Sequence, residues 1–247
     1  MKKKNLSQIT LLCISSVNLD NTVYALWRSS RKFDFAEIKL IGVERPKRMP
    51  TWLKFENAEG NSLRSINDYS HYCLYSLWKH VDTPFCLKIH ADGYVIHPKE
   101  WDDKFLDWDY IGAPWQVRDD GYVDPFGVHQ RVGNGGFNLR SKKVIDLPNR
   151  IDLVWDVNKS NFYKHMGANN FAEDGNICVH NRHLFEAHGV KFAPLEVALK
   201  FSVEQKVPEY TGAKTFGYHK NLPNLKAHIV DKFWRFIFHF TKISWKI

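Results

Sequence analysis

Residues 84–98 of this 247-residue chain, PFCLKIHADGYVIHP, carry the clearest chemical signal. His90 and Asp92 stand two apart, so on extended backbone both side chains leave the same face and can share one ligand or one divalent cation. Gly93 would let the backbone approach that ligand closely. The same HADG also suits a plain Asp-Gly turn with His90 as a satisfied polar residue, and these residues alone leave both readings open. Two later clusters could supply partners. RVGNGGFNLRS, residues 131–141, sets three glycines and Asn134 ahead of Phe137 and Leu139, which marks either a ligand-facing backbone or a tight loop. Glu173 and Asp174 are adjacent carboxylates at the expected start of a helix with apolar positions Ile177, Leu184 and Phe185, where acidic residues also complement the helix dipole.

The elements that must position these residues alternate. QITLLCISS reads as a strand, NTVYALWRSSRKF as a helix and EIKLIGV as a second strand, which is a βαβ beginning. In NSLRSINDYSHYCLYSLWKHV a helical stripe runs through Ile66, Tyr69, Cys73, Leu77 and Val81, with Ser65 and Asp68 as a capping box, and DTP at 82–84 ends it. Phe85, Cys86, Leu87 and Ile89 then form an apolar strand interrupted by Lys88. This order puts HADG at the carboxyl end of a central parallel strand, the edge where open α/β sheets bind ligands. WDDKFLDWDYIGAPW, 101–115, ends in a strand that runs into Gly112 and Pro114; its first half reads as an acidic surface loop around buried Trp101 and Phe105, or as acceptor contacts. His188 before Gly189 reads as a helix C-terminus with its cap glycine.

A hydrophobic content of 44% over this length supports a sizeable core, and one large domain is expected. The four cysteines, Cys13, Cys73, Cys86 and Cys178, lack CxxC spacing and fall in apolar runs, so they read as buried thiols of a reducing compartment, without disulfides or structural zinc. MKKKNLSQITLLCISSVN has too short an apolar core for a secretory signal and reads as a basic arm followed by the first strand. No uncharged run approaches the roughly 20 residues of a membrane span. A formal charge of +8 and a pI near 9.2 call for an anionic partner. Nucleic acid is disfavoured, since no recognition motif accompanies the charge. In the tail, Val230, Phe233, Trp234, Ile237 and Phe238 recur at helical spacing beside Lys232, Arg235, His239, Lys242 and Lys246. That pattern fits a helix lying on an anionic membrane face, or a helix packed on the domain with its charges solvated.

The succession HADG, DYIGAPW, GNGGFNLRS, ED, FSVE and FGYH resembles a family of bacterial and viral glycosyltransferase-like proteins carrying a domain of unknown function, within the GT-A superfamily. The resemblance runs from about Ser65 to His219. It implies an α/β, GT-A-like (Rossmann-like) fold: a mixed, mostly parallel sheet flanked by helices in a single domain, here residues 1–225, followed by the basic aromatic helix of 226–247. It also implies a glycosyltransferase that moves a sugar from a nucleotide-sugar donor to a glycan or lipid-linked glycan of the cell surface. Carried over by residue, His90, Asp92 and Gly93 would bind the donor. Asp92 and His219 would hold Mn²⁺ or Mg²⁺, which neutralises the diphosphate leaving group, although His90 stands where the family's DxD motif has its first aspartate. Asn134, Gly135, Gly136 and Trp115 would meet the acceptor, and Asp174, with Glu173 as the neighbouring candidate, would be the base of an inverting transfer. The expected location is cytoplasmic, peripheral on the inner membrane face. Two other readings stand beside it. Nucleotidyl transfer to a sugar phosphate would call for a glycine-rich loop after the first strand, and CISSVNLDNT has no glycine; a non-catalytic glycan-binding protein of the same fold is the other.

Overall fold

The computed structural model describes residues 2–59, 62–117, 122–153 and 172–240. Its centre is a six-stranded sheet of order β3-β2-β1-β4-β8-β5, made of β1 (Lys4–Ile14), β2 (Phe33–Gly42), β3 (Lys54–Asn57), β4 (Phe85–Ile89), β5 (Tyr110–Ile111) and β8 (Phe137–Ser141). The first four in that order pair in parallel, whereas β8 runs antiparallel to both β4 and β5. This is the mixed, mostly parallel sheet flanked by helices expected from the sequence. Strand β4 sits between β1 and β8, with Cys86, Leu87, Lys88 and Ile89 all buried, as an apolar run covered on both faces should be.

Element bounds differ modestly from the sequence reading. The first strand begins at Lys4, so part of the basic arm belongs to it, and helix α1 spans Leu19–Ser30. Helix α2 spans Ile66–Tyr75 and has the reciprocal capping box of Ser65 and Asp68, but Leu77–His80 tighten into a 3₁₀ turn. The expected helix at 173 is composite: Glu173–Gly175 leads into a π-helical turn, Asn176–His180, and then into Arg182–Ala187. His188 follows, donating Nδ1–H to the Leu184 carbonyl at 2.8 Å, and Gly189 takes the left-handed φ of 76° that the cap requires.

Trp101 and Phe105 are buried against Phe33 and Phe216, and Lys4 pairs with Asp103, so the acidic loop closes the amino end of the sheet, away from HADG. The four cysteines are free and buried. A C-terminal helix, Leu225–Phe240, lies on α1 through Trp234 and Phe238, whose rings meet Trp27 at 6.0 and 5.4 Å. Lys242 and Lys246 of the expected basic helix lie outside the described residues. Among the described residues no helix is long and apolar enough to cross a membrane.

Candidate active site

Three chain segments meet at the carboxyl end of β4. The turn that leaves it is closed by Gly93 N–H donating to the His90 carbonyl at 3.2 Å, so HADG is both an Asp-Gly turn and part of a ligand edge. FGYH is drawn to this turn by β10 (Gly217–Tyr218), which pairs in parallel with β9 (Ser202–Val203). Val95 bridges Gly217, Tyr218 N–H donates to the Tyr94 carbonyl, and Lys220 N–H donates to the Asp92 carbonyl at 2.9 Å. The third segment, GNGG, enters β8. Because β8 is antiparallel to β4, its amino end lies on the same sheet edge as the carboxyl end of β4.

His90, Asp92 and His219 thus each offer a ligand atom within 4.8 Å of the others. Asp92 is mostly exposed, and its carboxylate is held down to about 2, chiefly by His219 at 3.6 Å, against the effect of burial. His90 is pushed well below the ordinary imidazole range by burial, then by the Lys88 ammonium and His219, so it stands neutral with a lone pair to give. Its Nε2 lies 2.5 Å from the Tyr69 hydroxyl and 3.4 Å from the Lys88 ammonium. His219 is buried; burial lowers its pKa, but the Asp92 and Glu204 carboxylates outweigh that and raise it. Its Nδ1 lies 3.0 Å from Glu204 Oε1 and 3.0 Å from the amide nitrogen of Asn134.

Asn134 adopts a left-handed φ of 85°, and its side-chain oxygen accepts the Gly136 and Phe137 amides at 2.8 and 3.0 Å. The loop is packed too tightly for side chains: a Cβ on Gly136 would sit 2.0 Å from His219 Nε2, and one on Gly135 2.7 Å from Glu173 Oε1.

The two adjacent carboxylates part company. Glu173 is buried and ion-paired with Lys88 at 3.0 Å and Arg140 at 3.2 Å; burial raises its pKa, but these two charges outweigh it and keep the carboxylate ionised. Asp174 is half-buried and accepts the amides of Gly135 at 2.7 Å and Gly175 at 2.8 Å. Burial, then the charges of Glu173 and Glu204, raise it to about 6, so it can take a proton near neutral pH.

A cleft of about 700 Å³ opens beside the triad. It is walled by the β1–α1 loop (Ser15–Asn18), the start of α2 with Tyr69, the His90–Asp92 turn, and Asp231 and Arg235 of the C-terminal helix. Asp174 and the glycine loop lie outside this wall. The structure does not bring Trp115 to the cleft: it is buried, stacked on Tyr122 at 4.3 Å, with Gly133 against its ring. Lys88, Tyr69, Arg140 and Glu204 hold the site together, though no local motif marks them as site residues. A lone lysine inside an apolar strand was the available signal, because a buried charge demands partners.

The fold is that of solved GT-A structures. The chain is similar to the galactosyltransferase LgtC in complex with donor and acceptor sugar analogues, with a TM-score of 0.54 and 12% identity over 92% of this chain and 95% of that one. An active-site mutant of LgtC gives a TM-score of 0.53 and 12% identity over 90% and 94%. No curated protein matches in sequence. The family model described as protein of unknown function (DUF5672) matches residues 53–219, and the chain belongs to that family.

Proposed function

We propose that this protein is a glycosyltransferase that moves a sugar from a nucleotide-sugar donor to a glycan acceptor, free or lipid-linked, with inversion at the anomeric carbon. The observation that carries this reading is the convergence of His90, Asp92 and His219 at the carboxyl end of β4, where His90 and Asp92 line a 700 Å³ cleft, with Asp174 held by the adjoining glycine loop. The LgtC structure, with donor and acceptor sugar analogues bound on the same fold, supports the assignment of substrate class.

The donor set fits a divalent cation: one ionised carboxylate and two imidazoles, of which His90 is neutral. Two nitrogen ligands favour Mn²⁺ over the oxygen-seeking Mg²⁺. When bound, the cation neutralises charge developing on the diphosphate leaving group as a Lewis acid. Glu204 orients His219, and the Tyr69 hydroxyl at His90 Nε2 orients that ring. Asp174 Oδ accepts the proton of the acceptor hydroxyl as that oxygen bonds to the anomeric carbon and the carbon–oxygen bond to the diphosphate breaks. The Gly135 and Gly175 amides fix the carboxylate's direction, while ion-paired Glu173 anchors the helix start behind it.

The test is a panel of nucleotide-sugars assayed for binding and turnover, with and without Mn²⁺, on the wild type, Asp92→Asn and Asp174→Asn. Binding of one donor, weakened in Asp92→Asn and retained without turnover in Asp174→Asn, is the expected pattern. If no nucleotide-sugar binds, the assignment fails.

A further inference from the structure

The C-terminal helix has two opposed apolar faces, and the fold uses only one. Asp231, Trp234 and Phe238 face inward: Trp234 packs on Trp27 and beneath the Arg31 guanidinium at 3.6 Å, and Asp231 accepts the Tyr24 and Tyr94 hydroxyls. The other face carries Leu225, Ile229, Phe233, Phe236 and Phe240, spaced four, four, three and four residues apart, and each is 56–75% exposed. At 100° per residue these five fall within one narrow arc, opposite the packed face. The Phe236 and Phe240 rings stack at 4.8 Å, an ordered aromatic pair turned to solvent.

Cations border this stripe. Lys226, Lys232 and His239 are exposed along it. At the helix end, Phe238 and His239 line a hollow of about 640 Å³ together with Arg45, Lys47 and Arg48, and Glu44 and Asp20 line it as well. These three basic side chains come from a loop distant in sequence, are exposed, and sit beside the last turn of the helix.

We propose that this face docks on an anionic lipid bilayer, with the apolar stripe entering the headgroup region and Lys226, Lys232, Arg45, Lys47 and Arg48 meeting the lipid charges. Charge selects this occupant over a second copy of the chain, because two copies, each with a formal charge of +8, would bring like-charged flanks together. The same helix walls the 700 Å³ cleft through His228, Asp231 and Arg235 on its other side, so docking leaves that cleft free of the bilayer.

The experiment is co-sedimentation of the full chain with phosphatidylcholine vesicles, with and without phosphatidylglycerol, together with sedimentation velocity in the absence of lipid. The variants are Phe233→Asp/Phe236→Asp and Arg45→Glu/Arg48→Glu. All four positions are exposed, and an unchanged thermal midpoint establishes that each variant is folded. The wild type is expected to bind phosphatidylglycerol vesicles and to release them as salt rises. The aspartate pair should lose at least about tenfold in partitioning, and the glutamate pair should weaken binding and flatten its salt dependence. Equal binding to neutral vesicles, no vesicle binding, or a dimer that the aspartate pair abolishes would each overturn the proposal.

Discussion

The backbone amide of Gly135 donates to Asp174 Oδ2 at 2.7 Å, so the glycine loop holds in place an acidic side chain whose pKa is raised toward neutrality. A base that titrates at about 6 is ionised at physiological pH and close enough to it to accept a proton in a transition state. Turnover should therefore fall as pH drops through about 6, where Asp174 takes up its proton, and level off above it. Asp174→Asn should lower kcat by about 100- to 10,000-fold with donor affinity kept. A kcat–pH profile without an inflection near that pH, or unchanged turnover in the variant, would count against Asp174 as the base.

Asp92→Asn and His219→Ala should each weaken Mn²⁺ binding by at least about tenfold, read by calorimetry on the folded variants. Tyr69→Phe touches no cation yet removes the hydroxyl 2.5 Å from His90 Nε2; a loss of about 10- to 100-fold is expected because that partner holds the ring in position. Full Mn²⁺ affinity in Tyr69→Phe would show that Tyr69 does not position His90 for the cation.

Gly136→Ala adds one methyl group where the nearest atom is His219 Nε2, 2.0 Å away. The backbone amide of Gly136 is tied to Asn134, so the imidazole must give way. The variant should lose Mn²⁺ binding as fully as His219→Ala does, while circular dichroism shows the fold intact. Wild-type binding would mean that the loop can move aside.

Removing Glu173 strands two buried cations, Lys88 and Arg140, inside the sheet. Urea unfolding of Glu173→Ala should show a loss of about 3–5 kcal/mol, the usual cost of breaking a buried pair from one side. A loss under about 1 kcal/mol would mean that the pair is solvated.

Local signals carried the fold and half of the site. The Ser65/Asp68 cap, the apolar run into HADG and the alternation of strands and helices depend on neighbouring residues, and the structure repeats them. The roles of Lys88 and Glu173 depend on each other across 85 positions, which periodicity cannot register. Trp115 looked like a platform for a sugar because exposed indoles serve that use, but Gly133, a residue without a side chain, makes room for it in the core. In the tail, Val230, Phe233, Trp234, Ile237 and Phe238 formed one expected stripe; the structure turns Trp234 and Phe238 inward and leaves Phe233 outside, because aromatic residues occur all round the helix.

The short ladder between β6 (Ala113–Pro114) and β7 (Val132–Gly133) has a consequence for how such proteins can diversify. It joins the two ends of the segment 115–131 just before the chain enters the glycine loop. Residues can be inserted, deleted or exchanged at the segment's exposed positions 125–128 at little entropic cost and without shifting Asn134, Gly135 or Gly136. The loop that holds Asp174 is therefore insulated from the segment before it: homologues can vary those exposed positions while inheriting the glycine loop unaltered.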